Sequence, residues 1–475
     1  MSPKTTLILA VILAALAAYI YRYEWEPVET ESNPDREAIF EIEAEKIQSI
    51  EIRKREGEHL KLQRRGEDGW QLVAPMEAAA DSSASNSLAE TIATLESERV
   101  ISEGEANLAD FGLDTPKLEL DVLVKDAEDV ETSTTLHIGD ETPTGSKLYA
   151  RLADGEKIFV IASSKEYSLN KKAWDLRDKS LFRFERGDVE KVILRQPDQE
   201  IVLAKAGEDS WNIVEPTFSR ADRYKAGGLV SKLETAKMEE IVSESAEQLS
   251  EYGLGTPSYE VEIQLEGGLT ETLLVGEKKD SRYYARNPDR PMVYLIGSSL
   301  VDDIKKDQSE YISKRLFEFA TYQVNKLQIS SPEGPDRIVE KSKQDDKDVW
   351  KETAPEERDL DRTQVEDLLY KLNGSNAEET LTDGPGLSSP DYTITVWSKD
   401  TEKVEEVAVA TPKGGAIYAR RKGDELVLKL SQSSWEEIEK LMAFEEEAPP
   451  PDDEDDEKNE KDGPDGPAGK DKSDP

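Results

Sequence analysis

A tryptophan, a proline and an aspartate recur three times at one fixed spacing: Trp70, Pro75 and Asp81, then Trp211, Pro216 and Asp222, then Trp350, Pro355 and Asp361. The tryptophans lie 141 and then 139 residues apart. Self-similarity at a long fixed period makes the chain one module used three times, so a single plan must fold in every copy. The match extends further. Eighteen positions after each tryptophan stand Leu88, Leu229 and Leu368, and four positions later Ile92, Leu233 and Leu372. Next come Phe111-Gly112-Leu113-Asp114-Thr115-Pro116, Tyr252-Gly253-Leu254-Gly255-Thr256-Pro257 and the weaker Pro385-Gly386-Leu387-Ser388-Ser389-Pro390. Each copy then reaches a Tyr-Ala-Arg triplet ending in Arg151, Arg286 or Arg420. Copies one and two share what reads as an exit segment, Ser180-Leu181-Phe182-Arg183-Phe184 and Arg315-Leu316-Phe317-Glu318-Phe319, whereas copy three ends near Phe444.

Local patterns give each copy its fold class. Ile47 to Arg53 and His59 to Gln63 alternate around the turn Glu56-Gly57-Glu58, as paired strands do. Trp70 to Val73 is a third short strand, ended by Pro75, which has no amide to donate to a ladder. Asp81 then fits a helix N-cap, and Leu88, Ile92 and Leu95 form one apolar helical stripe. The glycine of Gly-Leu-x-x-Pro suits a positive φ, and its proline stops the helix from continuing. Leu118–Val124, Thr134–Ile138, Lys147–Arg151 and Lys157–Ile161 read as a four-strand meander, with a closing helix over Ser163–Lys179. Hairpin-length connections outnumber crossovers, so the expected class is α+β: three tandem, mainly antiparallel-sheet modules with one or two helices each. The modules are assigned to residues 38–185, 186–320 and 321–444, the last being shorter.

The two ends differ from the modules. Residues 5–21 are almost purely apolar, and 17 residues at about 1.5 Å each cover roughly 25 Å, enough for a thin bilayer core. Lys4 precedes the run, and Tyr19, Tyr21, Tyr23 and Trp25 follow as an interfacial belt. Residues 1–24 are therefore expected to be a single N-terminal transmembrane anchor, with the modules on the periplasmic or extracytoplasmic side of the inner membrane. A signal peptide cut after Ala15-Leu16-Ala17 is the competing reading. Residues 445–475 carry 14 acids against 4 lysines among prolines and glycines, and are expected to form a disordered acidic tail.

Composition excludes several kinds of chemistry. A net charge of −42 is incompatible with a nucleic-acid footprint, so no nucleic-acid partner is expected. With no cysteine there are no disulfides, thiol nucleophiles or thiolate metal sites. The two histidines, His59 and His137, occupy unrelated positions of copy one, so no histidine-based metal centre or triad is expected. No phosphate loop, nucleophile elbow or zinc-protease helix is present, and no cofactor is expected. Three sets of residues remain. Trp70, Trp211 and Trp350 can be aromatic platforms or core anchors. Arg151, Arg286 and Arg420 can grip a carboxylate or phosphate, or pair internally. Asp81, Asp222 and Asp361 can look like catalytic acids, although capping explains their position. Repetition in three copies argues against an enzyme, since a catalytic site usually occupies one specialised copy.

An N-terminal anchor followed by modules carrying Trp-x-x-x-x-Pro, (Phe/Tyr)-Gly-Leu-x-x-Pro and Tyr-Ala-Arg resembles a bacterial family known only as a domain of unknown function. The resemblance covers nearly all of residues 38–444 and is weakest where Pro385 replaces the aromatic before Gly386. Members of that family are often encoded beside ABC-type export or gliding-motility transporter components. The resemblance therefore implies a non-catalytic accessory or scaffold role beside an ABC-type permease or another envelope protein. A glycan- or peptide-binding envelope module is the alternative. A hydrolase would require a cleft in one copy with carboxylates that the other copies lack.

Overall fold

The computed structural model describes residues 36–444, apart from short stretches at 67–68, 104–105, 127, 246, 345–346, 399–402 and 413–414. The expected anchor over 1–24 and the acidic tail over 445–475 lie outside the described residues. Among the described residues no helix is long and apolar enough to cross a membrane.

The first module is a nine-stranded sheet made of β1 (Ile47–Lys54), β2 (His59–Arg65), β3 (Gly69–Ala74), β4 (Ala78–Ala79), β5 (Arg99–Glu103), β6 (Leu118–Lys125), β7 (Glu131–Glu141), β8 (Lys147–Leu152) and β9 (Lys157–Ala162). Its spatial order is β4-β3-β2-β1-β6-β7-β8-β9-β5, and every pairing is antiparallel. Two meanders thus flank β1, and the helix Ser82–Ala93 carries the chain from one edge strand, β4, to the other, β5. Residues 189–297 and 324–430 form two further nine-stranded sheets of the same order. The α+β class and the threefold repeat are therefore both present in the structure.

Register explains why one face is buried. Leu72, Leu62, Ile50 and Val122 oppose one another in a row across β3, β2, β1 and β6, and all four are fully buried. The helix lays Leu88, Ala89 and Ile92 into the same core. Each buried leucine, isoleucine or valine among them contributes about 1.5–3 kcal/mol. A register shift at the start of β1, between Ile47 and Ser49, recurs between Val189 and Lys191 and between Val324 and Lys326. This bulge, at Gln48, lets Ile47 share the core face with Ile50 and Ile52 despite the broken alternation.

The two-residue edge strand β4 stands where the sequence reads only as a turn, and three further features differ from that reading. The far edge strand β5 was not expected, because five residues with no clear alternation give little signal before their partner β9 is known. The expected closing helix is two short helices, Ser164–Leu169 and Ala173–Leu176, interrupted where Asn170 leaves helical geometry (φ −82°, ψ 59°). The third difference moves the module borders. The supposed exit segments open the following module: the Leu181 amide donates to the Ala236 carbonyl at 2.9 Å, and Leu316 to Ser375 at 2.9 Å. Leu316, Phe317 and Phe319 sit in the third core. The first module has the same entry, since the Ile39 amide donates to the Leu95 carbonyl at 2.9 Å and Ile39 and Phe40 lie in its core. Phe40, Phe182 and Phe317 each precede the first strand of a sheet by seven residues, a period visible in the sequence. The chain accordingly divides between Ser180 and Leu181 into two compact units, the second holding the second and third sheets.

Candidate functional site

The triplicated signature residues serve the fold. Trp70, Trp211 and Trp350 are only 4%, 6% and 2% exposed. The peptide bonds before Pro75, Pro216 and Pro355 are all cis, and each proline directly follows the last residue of its strand. Asp81 accepts from the Ala84 amide, Asp222 from Tyr224 and Lys225, and Asp361 from Thr363 and Gln364, so each caps its helix. The other two motifs meet in space. Phe111 packs edge-on against Tyr149 with ring centroids 5.0 Å apart, and Tyr252 packs tilted against Tyr284, also at 5.0 Å. Gly112, Gly253 and Gly386 have φ of 64°, 66° and 87°, the left-handed turn that an L side chain disfavours.

The arginines of the Tyr-Ala-Arg triplets are half-buried and sit in three different sheets, at the ends of hairpin strands. Arg286 donates from Nη2 to the Pro288 carbonyl at 3.1 Å. The Nε atoms of Arg286 and Arg420 are buried with no hydrogen-bond partner among the described residues. Arg151 stands opposite His137 across β8 and β7.

A buried polar joint binds the second module to the third, and sequence reading had not singled it out. Arg421, 2% exposed, donates from Nη1 to the carbonyls of Ser313 at 3.0 Å and Arg315 at 2.9 Å. Its Nε reaches Asp424 at 2.6 Å. Burial pushes this guanidinium below its ordinary value, and Asp424 opposes that. Beside it, Glu405 accepts from Arg220 Nη1 at 2.9 Å and from the Glu318 amide at 3.0 Å, and the Glu425 amide donates to the Phe218 carbonyl at 3.0 Å. Buried charges of this kind are tolerable only when paired and hydrogen-bonded. Register places Ala78 and Ala79 of the first module where the second has Ser219 and Arg220. The second module's counterparts of Glu405 and Arg421 are Glu271 and Asn287, which bond to each other at 3.0 Å. The only sequence signal is this departure of single positions from the repeat.

The second module also holds a cleft of about 690 Å³. Trp211 is part of its lining, Gly227, Gly228 and Ser231 come from the capped helix, and Arg186, Lys205 and Arg223 line it with Glu208 and Asp209. A smaller cleft of about 360 Å³ adjoins it across Arg223 and Tyr224 and continues to Arg315 and Glu318. In the sequence Glu67 and Asp68 stand three and two positions before Trp70, as Glu208 and Asp209 stand before Trp211, so these acids are not specific to this copy. Two glycines in the middle of a helix are the signal that sequence reading passed over.

Fold and site together define a tandem-repeat α+β protein whose repeated tryptophan, proline and aspartate serve the fold. The chain belongs to the family described as Domain of unknown function (DUF4340), which matches residues 70–219 and again 211–385. Each match starts at a module tryptophan, so the family unit begins at the third strand of a sheet and runs into the next module. No curated protein and no solved structure matches.

Proposed function

We propose that this chain is a non-catalytic, membrane-anchored accessory or scaffold protein whose modules stand outside the cytoplasm beside an ABC-type transporter or comparable envelope assembly. The observation that carries this reading is the use of every triplicated signature residue for packing, turning or capping. What the tryptophan, proline and aspartate repeat is a building block. The joint around Arg421 and Glu405 supports the same reading, because it fuses two modules into one continuous body suited to holding surfaces at fixed separation. The apolar run over residues 5–21 supplies the tether. Crosslinking in intact membranes followed by affinity capture is expected to recover a permease or another envelope protein. Recovery of none removes the scaffold reading. Intact mass of the membrane-extracted chain distinguishes a retained anchor from a cleaved signal.

The cleft of the second module favours a second reading, an envelope module that binds a glycan or peptide. On this reading one copy has been specialised, and the contact residues are those of the cleft and not Arg151, Arg286 and Arg420.

A further inference from the structure

The same helix position is filled differently in the three modules. Five residues after the capping aspartate stand Asn86, Gly227 and Glu366. In the first module Trp70 Nε1 donates to Asn86 Oδ1 at 2.7 Å, and the Arg64 guanidinium covers the indole at 4.5 Å. In the third, Glu366 is held by Arg362 at 2.7 Å, and Lys341 lies over Trp350 at 5.6 Å. The buried Trp350 Nε1 has no partner among the described residues, and in the second module Gly227 likewise offers no acceptor, so the open helix wall is what sets that module apart. Lys205, which matches Arg64 and Lys341 in register, turns away to donate to the Gly187 carbonyl at 2.8 Å. Trp211, 6% exposed, is left with an indole N–H that no described residue accepts, in the lining of the 690 Å³ cleft.

The helix wall of that cleft is open by composition. A Cβ added at Gly227 or Gly228 meets nothing within 4 Å, so close packing within the protein does not require the glycines. Each costs a helix interior about 0.8–1 kcal/mol relative to alanine. Their effect is to expose backbone and one indole edge to a space that Asn86 and Ser87 occupy in the first module.

We propose that this cleft binds a short acidic oligosaccharide. The indole N–H and the cations of Arg186, Lys205 and Arg223 can receive carboxylate and ring oxygens, with arginine forming charge-assisted bonds. Glu208 and Asp209 can accept sugar hydroxyls, and the Tyr224 ring gives an apolar platform. Three cations against two acids make the cleft net positive in a chain of charge −42, which selects a carboxylated sugar over a neutral one. The adjoining 360 Å³ cleft holds Arg315 together with Asp222 and Glu318, so it lengthens the site for a chain of sugars and adds no positive charge of its own. This inference rests on the ligand-binding reading and stands or falls separately from any permease contact.

The test is calorimetric titration of the full chain with trigalacturonate and, in parallel, with maltotriose. Trigalacturonate should bind saturably and maltotriose should not. Gly227→Asn rebuilds the first module's closure and should weaken binding at least tenfold, with a melting temperature unchanged or higher because asparagine is the better helix former. Arg223→Gln, on the exposed rim, should also weaken binding and keeps the test informative if the helix variant misfolds. Absence of trigalacturonate binding by the unaltered chain overturns the proposal. Equal binding of maltotriose, or undiminished affinity in both variants, overturns it as well.

Discussion

Asp222 shows what one signature residue is worth. Its carboxylate meets two amides that the first turn of the helix otherwise leaves unpaired. Asp222→Ala is expected to cost about 1 kcal/mol, measured by urea denaturation with the slope unchanged. The cap was legible in the sequence because its chemistry is local: an acidic residue followed by a periodic apolar stripe. Glu352 was not legible, because its partners are distant. It is 3% exposed and accepts from Arg337 Nε and Arg358 Nε, each at 2.6 Å. Arg337 in turn donates to the carbonyls of Met442 and Ala443 at the end of the last helix. Burial raises the Glu352 pKa, but the two arginines outweigh it and hold the carboxyl below its ordinary 4.5. A depressed carboxylate contributes stability that is complete above its unfolded pKa and disappears as pH falls through its folded pKa. Glu352→Gln should therefore destabilise the third module at pH 7, and its difference in melting temperature from the parent should shrink steadily below about pH 4.5. A difference that stays constant down to pH 3 would assign the effect to packing and not to charge.

At the scale of elements, the Gly-Leu-x-x-Pro turn is clamped onto a strand. A Cβ at Gly139 would lie 2.2 Å from the Phe111 carbonyl oxygen, and one at Gly276 would lie 2.1 Å from that of Tyr252. Backbone cannot retreat as a flexible side chain can, so Gly276→Ala should destabilise the second module by about 1–3 kcal/mol, as overpacking does. The third module already carries Ala410 at this position, beside Gly386, where proline replaces the aromatic. There Ala410→Gly is expected to change the melting temperature far less than Gly276→Ala, as differential scanning fluorimetry would show. The sequence revealed the positive-φ glycine of the turn because its neighbours repeat with it. It did not reveal the strand glycine, which has meaning only once turn and strand touch. The entry segments failed for the same reason. Their repetition was plain, but whether Leu316 and Phe317 close one core or open the next depends on a hydrogen bond to Ser375 that lies 59 residues further on.

For the whole molecule the question is where repetition ends and specialisation begins. The second compact unit holds two sheets joined through Arg421 and Glu405, and the residues that make the joint are those that break the repeat. Removing one partner of a buried ionic network typically costs about 3–5 kcal/mol, since the remaining charges stay buried without compensation. Arg421→Met deletes the donor to Ser313 and Arg315 and leaves Asp424 behind. In calorimetry of the full chain, the second and third modules should melt together in the parent, and in the variant as two separated transitions. The cleft variant Gly227→Asn, which lies outside that joint, should leave this pattern intact. If Arg421→Met melts as the parent does, entry of Leu316 and Phe317 into the third core is sufficient to couple the modules. The polar joint would then govern only their orientation.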